Sequence, residues 1–99
     1  MTINTIHRNF DLKATVKIKK PMSCSFASPN EDIVNWWHLE LSNKHTVFYK
    51  ILDSEKAKYD KEMDVKLSFL DNNIIKEILP NKLYNLYRGP EKIGQLIIK

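Results

Sequence analysis

Phe10-Asp11-Leu12-Lys13-Ala14-Thr15-Val16-Lys17-Ile18-Lys19 is the stretch that decides the class of fold. Phe10, Leu12, Ala14, Val16 and Ile18 alternate with Asp11, Lys13, Thr15, Lys17 and Lys19. Successive side chains of a strand point to opposite faces, so a period of two puts the apolar groups on one side and the lysines on the wet side. The run stops at Lys20-Pro21, because proline has no N–H to give a sheet ladder.

Working outward, the segment 21–32 holds two prolines, three serines, an Asn and two acids, with Phe26 as its one aromatic residue. It reads as a long loop, of the kind that is either mobile or functional. Ile33–Leu41 is the second strand: Ile33, Trp37, Leu39 and Leu41 share one face, and Val34, Trp36, His38 and Glu40 the other. Adjacent Trp36 and Trp37 must then point to opposite sides of the sheet. One fills the core, and the outward one is the best binding anchor in the chain.

Ser42-Asn43-Lys44-His45 is a polar turn, and Thr46–Leu52 resumes as a strand with Val47, Tyr49 and Ile51 opposed to Phe48, Lys50 and Leu52. The segment 53–62 is a loop or one charged helical turn. In Met63–Leu70, Met63, Val65, Leu67 and Phe69 face inward. Ile74, Ile75, Ile78 and Leu79 follow Asn72-Asn73 with the spacing of a short helix over 73–79, capped by Asn and stopped by Pro80. The last strands are Leu83–Arg88 and Ile93–Lys99, with Gly89-Pro90-Glu91-Lys92 as the turn.

Ninety-nine residues leave room for one core, so residues 1–99 are expected to form a single domain, with 1–8 a flexible tail. An apolar content of 42% and a charged content of 28% are those of a folded chain. No apolar run is long enough to span a membrane and no signal peptide is expected. The lone Cys24 implies a reducing interior, hence a cytoplasmic location. Five or six short strands separated by turns indicate an all-β barrel or sandwich, and closure into a barrel would remove the sticky edges.

The segment Tyr84-Asn85-Leu86-Tyr87-Arg88-Gly89-Pro90-Glu91-Lys92-Ile93-Gly94-Gln95-Leu96-Ile97-Ile98 resembles the end of the third domain of elongation factor Tu. Tyr84, Leu86, Gly89, Ile93 and Gly94 stand at the matching places of a strand, a Gly-containing turn and a closing strand. Val65–Leu70 looks like the strand before it, and Phe10–Lys19 like that domain's opening strand. Order and spacing agree over about two-thirds of the chain. The resemblance implies a six-stranded antiparallel closed barrel, with Gly94 at a close backbone approach. It implies no activity, since the nucleotide chemistry of those factors lies in a separate Gly-rich domain.

Catalytic chemistry is not expected. Two glycines exclude a phosphate-cradling loop, and Cys24 has no adjacent base to activate it. His38 and His45 lack a third ligand for zinc. Asp53, Glu55, Asp60 and Asp64 alternate with lysines, as on a solvated surface. No metal, cofactor or small-molecule substrate is therefore expected. The leading expectation is a non-enzymatic module that docks a protein partner, an accessory or immunity-type protein, through Trp36 or Trp37, Phe26, Lys13, Lys17 and Lys19. The alternative is RNA or tRNA binding by Lys13, Lys17, Lys19 and Lys20, given the net charge of +4 and pI near 9.2.

Overall fold

The alternation that opens at Leu12 continues as six strands, each with one greasy face, and those faces can be buried together only by rolling the sheet up. In the computed structural model, which describes residues 10, 12–22, 25–32 and 34–99, the strands are Leu12–Ile18 (β1), Trp36–Glu40 (β2), Lys44–Ile51 (β3), Met63–Phe69 (β4), Leu83–Arg88 (β5) and Glu91–Ile98 (β6). They form a closed barrel in the order β1-β4-β3-β2-β5-β6, and β6 pairs back onto β1. Every neighbouring pair is antiparallel. The expected class, a small closed barrel of six antiparallel strands, is the one observed. The tail expected over 1–8 and the Cys24 thiol lie outside the described residues.

Closure consumes the alternation. Val16, Leu39, Val47, Val65, Leu67, Leu86 and Leu96 fill the interior with essentially no exposed surface. Trp37 lies among them, its ring stacked on Tyr49 with centroids 3.6 Å apart and planes 6° from parallel. The Tyr49 hydroxyl donates to the Val34 carbonyl at 2.8 Å, so its one polar atom is satisfied at the barrel end.

The seam between β1 and β6 depends on Gly94. Ile18 stands opposite Gly94, and a Cβ built on that glycine would lie 2.1 Å from the Lys17 carbonyl oxygen and 2.8 Å from the Ile18 Cα. The close approach expected at Gly94 is therefore present. Gly89 serves the chain differently. Its φ of +59° starts the two-residue turn to β6, a left-handed geometry that glycine adopts without penalty.

Boundaries depart from expectation where hydrogen bonds outside the ladder intervene. β2 starts at Trp36, not Ile33, because the Asp32 carboxylate accepts the Val34 N–H at 2.9 Å and holds the preceding chain in a local turn. β3 starts at Lys44, since the turn is closed by the Leu41 N–H donating to the Asn43 carbonyl at 2.9 Å. β6 starts at Glu91, because Gly89-Pro90 alone makes the turn. The short helix near 73–79 is a 3₁₀ turn over Asn72–Glu77, capped by the Asp71 carboxylate rather than by Asn. Ile74 is buried from it, whereas Ile75 and Leu79 are exposed.

The described part of segment 21–32 is a long loop with one 3₁₀ turn, and it is anchored. Pro21 and Pro29 are fully buried, and Pro29–Glu31 form a 3₁₀ turn whose Glu31 carboxylate accepts the Ser28 N–H at 3.1 Å. The Glu91 carboxylate accepts the Met22 N–H at 3.0 Å and meets Lys19 at 3.6 Å. Arg88 pairs with Asp32, whose side chain is only 7% exposed. The described part of this segment is thus strapped across the barrel end by the β5–β6 hairpin. The segment 53–62 supplies a second cover there, with a 3₁₀ turn at Ser54–Lys56 and a buried Ala57.

Candidate functional site

With the apolar faces turned inward, whatever this chain recognises meets the outer face or the rims. The outer residues of β3, β2 and β5 fall into rows fixed by register. Phe48 stands opposite Trp36 and Thr46 opposite His38, which in turn faces Tyr87. Lys44 stands opposite Glu40. Trp36, His38, Phe48 and Tyr87 are all half-buried. They present an aromatic face across three strands, with Lys44, Glu40 and Asn85 at its edge.

Local contacts hold this face in place. The Trp36 and His38 rings lie 5.0 Å apart, inclined by 34°. The Lys44 Nζ sits 4.0 Å from the centre of the Tyr87 ring, a cation–π contact. The Glu40 carboxylate accepts from Asn85 at 3.1 Å and from the Tyr87 hydroxyl at 3.4 Å. Loss of solvent around the Tyr87 hydroxyl, followed by the Glu40 charge, raises its pKa above the usual phenol value.

A second set of rows lies on the outer face of β1, β4 and β3. Lys13 is opposite Lys66, and Lys66 is opposite Lys50. Among the described residues no carboxylate pairs with any of the three. The Lys50 Nζ is 4.4 Å from the centre of the Phe10 ring. One row along, Thr15 faces Asp64, and the Asp64 carboxylate takes the Lys99 ammonium at 2.8 Å. That hydrogen bond is the main reason the Asp64 pKa lies below its ordinary value.

The residues expected to bind separate on this map. Trp36 is the outward tryptophan, and Trp37, only 3% exposed, drops out as a contact residue because it is part of the core. Phe26 is half-buried in the strapped segment. Lys13 and Lys17 are exposed on β1, and Lys17 faces Gln95 of β6 rather than another lysine. Lys19 is paired with Glu91. Lys50, Lys66 and Phe48 are members that sequence reasoning missed. Their outward direction is readable from alternation, but their neighbours are not.

His38 and His45 do not converge. His38 is on the outer face, and His45, opposite Leu39, belongs to the inward set, so the two point to opposite sides of the sheet. Among the described residues no group of three or more His, Cys, Asp or Glu is placed to hold a metal ion. An open groove of about 610 Å³ runs between the two covering segments, lined by Ser28, Asn30, Glu31, Ser54, Glu55 and Lys58. Ala27, Ala57 and Tyr59 complete its walls, and its two carboxylates, Glu31 and Glu55, are both exposed. The opposite rim carries exposed Leu70, Ile75, Leu79, Leu83 and Ile97. Among the described residues no helix is long and apolar enough to cross a membrane. No protein-family model, curated protein or solved structure matches the chain.

Proposed function

We propose that this chain is a non-enzymatic binding module that docks a protein partner through the outer face of β2, β3 and β5. The observation carrying this reading is Trp36, half-buried on the outside of a barrel whose interior is already filled by its neighbour Trp37. A rigid aromatic anchor with a polar rim of Lys44, Glu40 and Asn85 is the composition of an interface hot spot. The likeness of Tyr84–Ile98 to elongation factor Tu adds kinship of architecture to the proposal and no partner. An accessory or immunity-type role in the cytoplasm belongs to the same reading.

The test is affinity capture from native lysate with the wild-type chain and Trp36→Ala. A protein retained by the first and lost by the second, and reconstituted from purified components, supports the reading. No retained protein, or equal retention by the variant, refutes it. A second reading, that the chain binds RNA, is favoured by the like-charged lysines opposed across β1, β4 and β3.

A further inference from the structure

Like charges directly opposite each other on a sheet repel, and sheets ordinarily avoid the arrangement. Here it occurs twice in succession, Lys13 against Lys66 and Lys66 against Lys50. Neighbouring strands are about 4.8 Å apart, so three ammonium groups on flexible four-carbon stems gather in one band across the barrel. Asp64, the acid in the adjoining row through Thr15, is already held by Lys99. Positive charge is therefore concentrated with the Lys50 contact to the Phe10 ring as its one compensation among the described residues.

Aromatic rings border the same band. Phe10 lies beneath Lys50. Phe48 is the next outward residue after Lys50 along β3, opposite Ser68 of β4. A line of cations beside half-buried aromatic rings is a pattern that can grip single-stranded nucleic acid: ammonium groups follow the phosphates, and bases of any identity stack on the accessible parts of the rings. A duplex would meet the cations without giving its bases to the rings.

We infer that Lys13, Lys66 and Lys50 form a phosphate-binding band for single-stranded nucleic acid, with Phe10 and Phe48 as base-stacking neighbours. This rests on the RNA reading and relocates its site. Of the lysines clustered along the sequence, only Lys13 belongs to the band, while Lys19 is occupied by Glu91 and Lys17 faces Gln95. The new members come from β3 and β4.

The test is fluorescence anisotropy with labelled ten-nucleotide oligouridylate and oligothymidylate, measured against salt. Three neutralised phosphates give a log–log slope of about −2, a loss of about 20-fold in affinity between 50 and 200 mM salt. Lys66→Gln should make the slope shallower by about 0.7, and the triple change Lys13→Gln/Lys50→Gln/Lys66→Gln should abolish binding at 50 mM salt. These positions are on the outer face and their substitution relieves repulsion, so Lys66→Gln should melt no lower than wild type, while the triple variant, which also gives up the Lys50 contact with Phe10, should remain folded at the assay temperature. Phe48→Ala should weaken the oligonucleotide without changing the salt slope.

No binding of either strand at 50 mM salt sinks both the RNA reading and the site. Binding that survives the triple change sinks the site alone and leaves RNA binding standing elsewhere. Tighter binding of polyglutamate of equal charge overturns the nucleic-acid assignment in favour of an acidic protein. Preference for oligouridylate over oligothymidylate, or equal binding of both, supports the band and tells whether the sugar is read.

Discussion

Replacing Gly94 by alanine should open the barrel at its seam. The added Cβ would sit 2.1 Å from the Lys17 carbonyl oxygen, 2.8 Å from the Ile18 Cα and 2.9 Å from the Ile18 Cγ2. Two of these three atoms are backbone, so no side-chain rotation relieves the contact, and β1 must move away from β6. The pairing at stake runs from Ala14 against Ile98 to Ile18 against Gly94, continued by the Lys19 N–H to the Ile93 carbonyl at 2.7 Å. Overpacking by one methyl group in a core that can adjust costs about 1–3 kcal/mol. With the backbone itself in the way, the cost belongs at or above about 3 kcal/mol, out of a total of about 5–15 kcal/mol for a domain of this size. That corresponds to a fall in Tm of roughly 12–24 °C. Gly89→Ala is the control, because nothing lies within 4 Å of its added Cβ and only the left-handed φ of +59° is penalised, at about 1–2 kcal/mol. Urea denaturation followed by the fluorescence of buried Trp37 measures both. If Gly94→Ala unfolds within about 1 kcal/mol of wild type, or Gly89→Ala proves the costlier change, the close-approach reasoning is wrong.

Three other outcomes are expected. Trp37→Ala should cost about 3–5 kcal/mol in urea denaturation, as large aromatic truncations in a core do, while Trp36→Ala costs about 1 kcal/mol; equal costs would contradict the assignment of their faces. Asp32→Ala takes away the carboxylate that meets Arg88, with both side chains mostly out of solvent, and should cost about 3 kcal/mol, of which Asp32→Leu/Arg88→Met recovers a part; full stability of the single variant would show that the strap is not held there. Asp64 has a depressed pKa when folded, so the stability it contributes is present above its unfolded pKa and is lost as pH falls through the folded one. From about pH 4 downward, wild type should therefore lose slightly more stability than Asp64→Asn, by an amount kept small by solvent screening and read as the urea midpoint across pH 3–5.

Alternation carried most of the architecture. β1 and β4 lie within a residue or two of where period-two patterning places them, because each alternates without interruption and needs no tertiary cue, whereas β5, with the adjacent apolar pairs Leu83-Tyr84 and Leu86-Tyr87, is marked by the Gly89-Pro90 turn that ends it. β6 is legible only in part. Strict alternation from Ile93 would bury Ile97, yet Ile97 is 38% exposed while Leu96 and Ile98 are buried. The register shift between Leu86 and Tyr87 inserts one extra residue opposite β5 and reverses the faces beyond it. The one local mark is Gly94 beside the extra residue, and a glycine in a strand signals a bulge or a close approach without saying which. The fastening of segment 21–32 is hidden for a similar reason. Its prolines and serines are loop residues, but the contacts that hold it, Glu91 to the Met22 N–H and Arg88 to Asp32, come from a hairpin more than fifty positions away.

The candidate site shows the same division between direction and neighbourhood. That Trp36 or Trp37 points outward follows from adjacency alone, but which one does so depends on the phase of β2, set when Trp37 stacks on Tyr49. Nearness in sequence groups Lys13, Lys17, Lys19 and Lys20, and closure of the barrel undoes that group. Going around the sheet, Lys13 acquires Lys66 and then Lys50 as neighbours, and Lys17 acquires Gln95. In a closed barrel every outward side chain has its lateral neighbours fixed by register, and shifting one strand by two residues would replace the whole row while preserving the core pattern. The apolar face constrains register only to even steps. Among those steps, the observed one stacks three lysines against their mutual repulsion, an arrangement that core packing does not require. An anion bound across the row would turn that repulsion into attraction, which makes the stability change of Lys66→Gln as informative as its binding: it should stabilise the free chain and weaken the complex.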